Sequence, residues 1–259
     1  MDKPLVSVIV GHYDNDLNLA RLIRCLSRQT YPNLEIIVVA DGSPPPQPFL
    51  WYGKPTLIAD YLLRLGRPVK WVYFERQPSN IARVCGCFND GVHDHARGEL
   101  ICILAEDWWL EDAWIEKVAD SLLALGPGNH MCGIMKNRRH QLRNGWPYEA
   151  HVGPLPSPDH VDSGMCSMVF KEDWIDFDED WDKIGAGHYV PYWGHQWVQA
   201  GHHLWYNSTV VMKHRSHPPL AYATLNNYNA SHDLYHRKRG LPPPKREVTQ
   251  TPAGWLKEE

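Results

Sequence analysis

Two acids, Glu106 and Asp107, stand together where an apolar run stops and a helix begins, within RGELICILAEDWWLEDAWIE from Arg97 to Glu116. Leu100 to Leu104 has the length and composition of one buried strand. Asp112 is placed to cap the next helix, where Trp114, Ile115, Val118, Leu122 and Leu123 recur at helical spacing. In open α/β sheets, ligands bind beyond the carboxyl ends of strands. Paired hard oxygens at such an end suit Mg2+ or Mn2+, and either ion holds a diphosphate. An acidic turn open to solvent has the same composition, so the pair alone leaves both readings standing.

The elements that must position this pair alternate strand and helix. Leu5 to Val10 reads as a buried strand, His12 to Asp16 as a turn, and Leu17 to Gln29 as a helix with Leu19, Leu22, Ile23 and Leu26 on one face. Either Asn15 or Asp16 caps it. Leu34 to Val39 is a second buried strand, which completes a right-handed βαβ unit. The proline-rich stretch from Pro44 to Pro55 reads as a loop, Thr56 to Leu65 as a helix, Val69 to Phe74 as a strand and Ile81 to Ala96 as a helix. The fold class expected is α/β, a doubly wound and mostly parallel central sheet.

After Gly126-Pro127-Gly128 the character changes. Met131 to Met135, Cys166 to Phe170 and Trp205 to Met212 read as strands, His140 to His160 as an irregular loop, and Trp197 to Ala200 as part of a helix. The division expected is a first half over 1–125, a second half over 126–240, and a tail over 241–259 in which Pro242-Pro243-Pro244 forbids a regular element.

Length and composition narrow the function. A chain of 259 residues buries a sizeable core. The net charge of −4 gives no general basic excess for nucleic acid. Two local basic runs, Lys136 to His140 and His236 to Arg239, keep an anionic acceptor open beside the reading as solvated faces. The six cysteines form no CxxC pair and read as reduced core residues, hence a cytoplasmic location. No signal peptide is expected, and no apolar run is long enough to span a membrane. The 12 Trp, 12 Tyr and 15 His, many of them after residue 140, suit a pocket with aromatic walls and polar tips.

In order along the chain, VSVIVGHY at 6–13, LSRQT at 26–30, LEIIVVADGS at 34–43, Arg83 with Asn89 and Gly91, and GELICILAEDWWLEDAWIE at 98–116 resemble the successive motifs of a GT-A glycosyltransferase of family 2. The resemblance is good over 5–125 and loose over 160–240. It implies an inverting transfer of a sugar from a nucleotide-sugar to a hydroxyl, with Mn2+ or Mg2+. Carried over by position, the opening turn of Gly11, His12 and Tyr13 binds the nucleotide-sugar, with Tyr13 by the nucleobase and Asp41 on the nucleotide. Arg83 lies near the nucleotide or its phosphates. Asp107 is the metal-binding acid with Glu106 beside it, and His214 follows the last strand within reach of metal or diphosphate.

Three departures accompany the match. Ala40 replaces the first acid of the family's D-D-G-S, Gly11 its Thr or Pro, and Ala105 the first acid of D-x-D. A UDP-sugar is the favoured donor, although two base-reading positions are altered. For the base, the segment Tyr192 to Trp197 aligns His195 with the family's acid, with His188 and Asp182 as rivals. An imidazole accepts a proton near neutral pH. Asn89 and the pair His202-His203 read as structural, since buried amides are bonded and adjacent strand residues face opposite ways. The acceptor expected is a glycan, a lipid-linked sugar or a modified nucleic acid. The rival to an enzyme is a non-catalytic nucleotide- or sugar-binding module.

Overall fold

The computed structural model describes residues 2–13, 15–41, 49–51, 54–63, 69–74, 84–133, 152–155, 157–158, 166–184, 189–214 and 225–242. The first half runs β1 (Val6–His12), α1 (Asp16–Ser27), β2 (Leu34–Asp41), β3 (Phe49–Trp51), β4 (Lys54–Thr56), α2 (Ile58–Leu63) and β5 (Val69–Phe74). Next come α3 (Val84–Asp90) with a π turn at Gly91–His95, β6 (Leu100–Ala105), β7 (Trp108–Leu110) and α4 (Trp114–Leu125). The second half carries β8 (Asn129–Gly133), β9 (Val152–Pro154), β10 (Cys166–Phe170), a 3-10 turn at Glu179–Lys183, α5 (Tyr189–Gln199), β11 (His203–Asn207), β12 (Met212–His214) and α6 (Leu225–Lys238).

Eight strands form one sheet in the order β5-β2-β1-β6-β10-β8-β11-β9. Strands β5, β2, β1 and β6 are parallel, and β10 runs against both β6 and β8. Strand β11 is parallel to β8, and β9 is antiparallel to β11. Strict alternation splits the apolar residues between two faces. Val6, Val8, Val10, Leu100, Cys102 and Leu104 pack against α1 and α4. Ile9, Ile37, Val39, Ile101 and Ile103 pack with α3, α5 and α6. The expected α/β class with a mostly parallel central sheet is the observed one.

One polar knot fixes β6 beside β1. Ser7 is fully buried in β1; its hydroxyl donates to Glu35 Oε1 at 2.6 Å and accepts from the Gly98 N–H at 2.8 Å. Arg97 donates its backbone N–H to Glu35 Oε1 at 2.8 Å and its guanidinium to Oε2 at 3.0 and 2.8 Å. Burial works against the Glu35 charge, but the bonds from Ser7 and Arg97 outweigh it and keep its carboxyl below the ordinary pKa. Gly98 has no room for a side chain, because a Cβ there would lie 2.6 Å from the Leu5 carbonyl and 2.7 Å from the Ser7 nitrogen.

A second knot sets the start of α4. Gln29 is buried and donates to the carbonyls of Glu111 at 2.7 Å and Cys25 at 3.3 Å, while its Oε1 accepts from the Ile115 N–H at 2.8 Å. The expected cap, Asp112, instead pairs with Arg28 at 3.0 Å. A side chain 86 residues away in sequence satisfies the helix end that a local residue was expected to satisfy.

Four further features differ from expectation. The proline-rich loop contains the hairpin β3–β4, with Pro55 opposite Leu50 in a two-stranded sheet, where a missing N–H is tolerated at an edge. The strand expected over Trp205 to Met212 breaks at Asn207, whose Oδ1 accepts from the Thr209 N–H at 2.8 Å and its hydroxyl at 2.6 Å. That local bonding turns the chain before β12 begins. The short strand β7 was not anticipated between Asp107 and α4. The helix expected over Ile81 to Ala96 begins, among described residues, at Val84 and ends in the π turn.

His130 lies in the core against Trp193 and Trp197, with ring centroids 4.9 and 5.2 Å away. Burial pushes its pKa down to about 3, so it is neutral in the folded chain at ordinary pH.

Two predictions follow from this packing. Gly98→Ala should cost about 1–3 kcal/mol in chemical denaturation, because the clash is with backbone. The His130 contribution is complete above the unfolded value near 6.5 and is lost as pH falls toward 3, since the unfolded ring binds the proton there. Its acid limb should therefore steepen by up to about 1.4 kcal/mol per pH unit below that point. Denaturant titrations from pH 7 to 4 should show a shallower acid limb in His130→Phe than in the wild type.

Candidate functional site

The carboxyl ends of β1 and β6 coincide. Gly11 is the register partner of Ala105, so His12 and Glu106 emerge side by side. His12 is buried, with Nδ1 against Glu106 Oε2 and Nε2 3.2 Å from Asp16 Oδ1 at the start of α1. The ring meets Trp71 edge-on at 5.6 Å. Burial opposes charge on this imidazole, but the bonds and fields of Asp16 and Glu106 prevail and raise its pKa to about 9. On the other side, His12 is paired in register with Ala40, and the next residue of β2, Asp41, is opposite Phe74. Gly11 faces Phe88, whose ring would lie 3.4 Å from a Cβ added there.

Asp107 follows in the turn and is only 8% exposed. The chain then enters β7, which pairs antiparallel with β12 so that His214 lies opposite Trp108. The backbone of His214 is thereby brought beside the acidic turn from a distant part of the sequence. Glu111 locks this ribbon: its N–H donates to the Val211 carbonyl at 3.0 Å, and its Oε1 accepts from the Val211 N–H at 3.0 Å and Lys117 Nζ at 2.7 Å. Lys213 lies over the Trp109 ring at 5.5 Å.

The donor set here is hard carboxylate oxygen with a histidine nearby, which fits Mn2+ or Mg2+. Among the described residues no three His, Cys, Asp or Glu side chains converge into a closed metal cage. An ion that works on a diphosphate needs only one or two protein carboxylates, because phosphate oxygens and water complete its shell.

The remaining candidates are distributed more widely. His195 lies on α5, with Nε2 3.1 Å from the Tyr235 hydroxyl of α6, to which Arg239 also donates at 2.5 Å. Asp182, in the 3-10 turn, accepts from the backbone N–H groups of Cys85 at 2.9 Å and Gly86 at 2.8 Å, so both its oxygens serve the start of α3. Tyr13 is half-buried just beyond β1. Arg83 and His188 lie outside the described residues, as do the side chains of Asp41 and His214. Asn89 exchanges bonds of 2.9 Å with both backbone groups of Phe177, the structural role expected of it. His202 packs on Trp197 at 4.8 Å, and His203 opens β11.

Two residues of consequence went unread in the sequence. Asp16 was considered only as a cap, yet it holds His12, and Asn15 does the capping by accepting from the Asn18 N–H at 3.4 Å. The i to i+4 spacing of His12 and Asp16 was the available signal. Tyr235 had none, since its partner His195 is 40 residues away.

Residues 7–48 match the family described as Glycosyl transferase family 2. Over 118 residues the chain is 30% identical to the putative glycosyltransferase EpsH of Bacillus subtilis (strain 168), covering 46% of this chain and 30% of that one. GalNAc-T7, solved with UDP, GalNAc and Mn2+, superposes with a TM-score of 0.65 at 13% identity, over 94% of this chain and 52% of that one. The mannosyltransferase PcManGT of Pyrobaculum calidifontis, in complex with GDP-Man and Mn2+, gives 0.60 at 18% identity, over 85% and 59%. S. aureus TarS gives 0.61 at 14% identity, over 90% and 39%. The chain therefore has the GT-A fold of these glycosyltransferases. It spans between 30% and 59% of the length of these relatives.

Asp182→Ala should leave the first N–H groups of α3 without their acceptors. The expected loss is about 1–2 kcal/mol in urea denaturation.

Proposed function

We propose that this chain is a metal-dependent, inverting glycosyltransferase that moves a sugar from a nucleotide-sugar to an acceptor hydroxyl. The observation that carries the reading is the meeting of Glu106 and Asp107, at the tip of β6, with β12 and its terminal His214. The solved neighbours GalNAc-T7 and PcManGT hold Mn2+ with UDP and with GDP-Man respectively, which supports a divalent ion and a nucleotide-sugar in this chain.

In this proposal residues 1–125 bind the donor and 126–240 the acceptor. A divalent ion supplies Lewis acidity that neutralises the departing diphosphate. Asp107 and His214 would hold it, and Arg83 adds positive charge to the phosphates. Tyr13 and Asp41 bind the nucleoside. Uracil is the favoured base, although Ala40, wholly buried beside His12, brings no acid to it. His195 is the base that takes the acceptor proton, and its bond to Tyr235 fixes the ring orientation. Trp108 and Trp109, in the strand that follows the acidic turn, keep water from the donor side. All six cysteines are buried in the core, which supports a reduced, cytoplasmic location, and no described helix is long and apolar enough to cross a membrane.

The replacement of two family acids by Ala40 and Ala105 favours a second reading, a nucleotide- or sugar-binding module without turnover. The two readings separate on Asp107→Asn. As an enzyme, the variant should lose at least about 100-fold in donor turnover with Mn2+, an amount typical of removing a group that stabilises developing charge. Its melting temperature should stay near the wild-type value. Wild-type protein that binds UDP or GDP with Mn2+ but turns over no donor sugar would leave the module reading.

A further inference from the structure

The acidic turn meets a histidine of the opening turn, His12. Both ring nitrogens of His12 face carboxylate oxygens, Nδ1 toward Glu106 and Nε2 toward Asp16 at 3.2 Å. Only a ring with a hydrogen on each nitrogen donates to both. His12 sits at the last position of β1, a fully paired central strand, with Trp71 on its edge. The ring is therefore rigid, and so is whatever it holds. What it holds is the residue next to Asp107, in a turn whose other end is clamped by the β7–β12 pair. Ala105 contributes no carboxylate where the family carries one, so Glu106 is the acid through which His12 reaches the turn.

Resting on the proposed function, we infer that His12 is a positioning residue: through Glu106 it fixes the turn that carries Asp107, so that Glu106 acts as an anchor and not as a ligand of the ion. Asp16 has a lesser part, since it orients the ring from the side away from the turn. Groups that orient a metal ligand typically change metal affinity by roughly 10–100-fold when removed.

The test is calorimetric binding of Mn2+ with UDP, and with GDP, to the full chain, alongside melting temperature. His12→Gln should raise the Mn2+ concentration for half-saturation by roughly tenfold or more. Glu106→Gln should do the same, and the double variant should be no worse than the weaker-binding single variant, because both act through one contact. Asp16→Asn should lower the melting temperature while changing Mn2+ binding by less than about threefold, well under the loss expected at the orienting contact. If His12→Gln does not fold, Glu106→Gln and Asp16→Asn carry the comparison. Unchanged Mn2+ binding in Glu106→Gln, or equal weakening in Glu106→Gln and Asp16→Asn, overturns the inference and leaves the proposed function intact. Wild-type protein that binds neither nucleotide with Mn2+ overturns that function, and this inference with it.

Discussion

The pairing of β1 between β2 and β6 is the constraint from which the candidate site follows. Parallel strands in register end together, so His12, Ala40, Asp41, Glu106 and Asp107 reach one edge of the sheet without long loops to bring them there. The register is not left to apolar packing alone. Ser7, Glu35, Arg97 and Gly98 join the opposite ends of β1, β2 and β6 by hydrogen bonds. A slip of one residue would break those bonds and turn each core side chain to the wrong face.

Much of this was legible in the sequence. The apolar runs that became β1, β2, β6 and β10 are short and bounded by turn residues, as strands of a sheet covered on both faces must be. The position of Glu106 and Asp107 at the end of β6 followed from that run. The amphipathic face of α1 was equally plain: all four of its expected core residues are buried. The role of Asn89 followed from the rule that a buried amide must be bonded.

The parts that were not legible depend on distant partners. Gln29 caps α4 from another element, which displaces Asp112, the cap that local chemistry suggested. Strand β7 is three residues long and exists because β12 pairs with it, a contact across about 100 residues that no local pattern encodes. The break at Asn207 arises from one side chain bonding two residues ahead, which overrides an apolar run that otherwise reads as continuous strand. The same limit applies to His12. Its type was visible, but its two acidic neighbours come from the first turn of α1 and from the turn after β6, 94 residues on.

Strand β10 runs against both of its neighbours in the middle of the sheet. It acts as a seam. On one side lie the parallel strands β5, β2, β1 and β6, whose ends share one edge, and on the other lie β8, β11 and β9. Changes of length or shape beyond the seam therefore need not disturb the register before it. A lineage could recut one half of such a molecule while the other half kept its old tailoring.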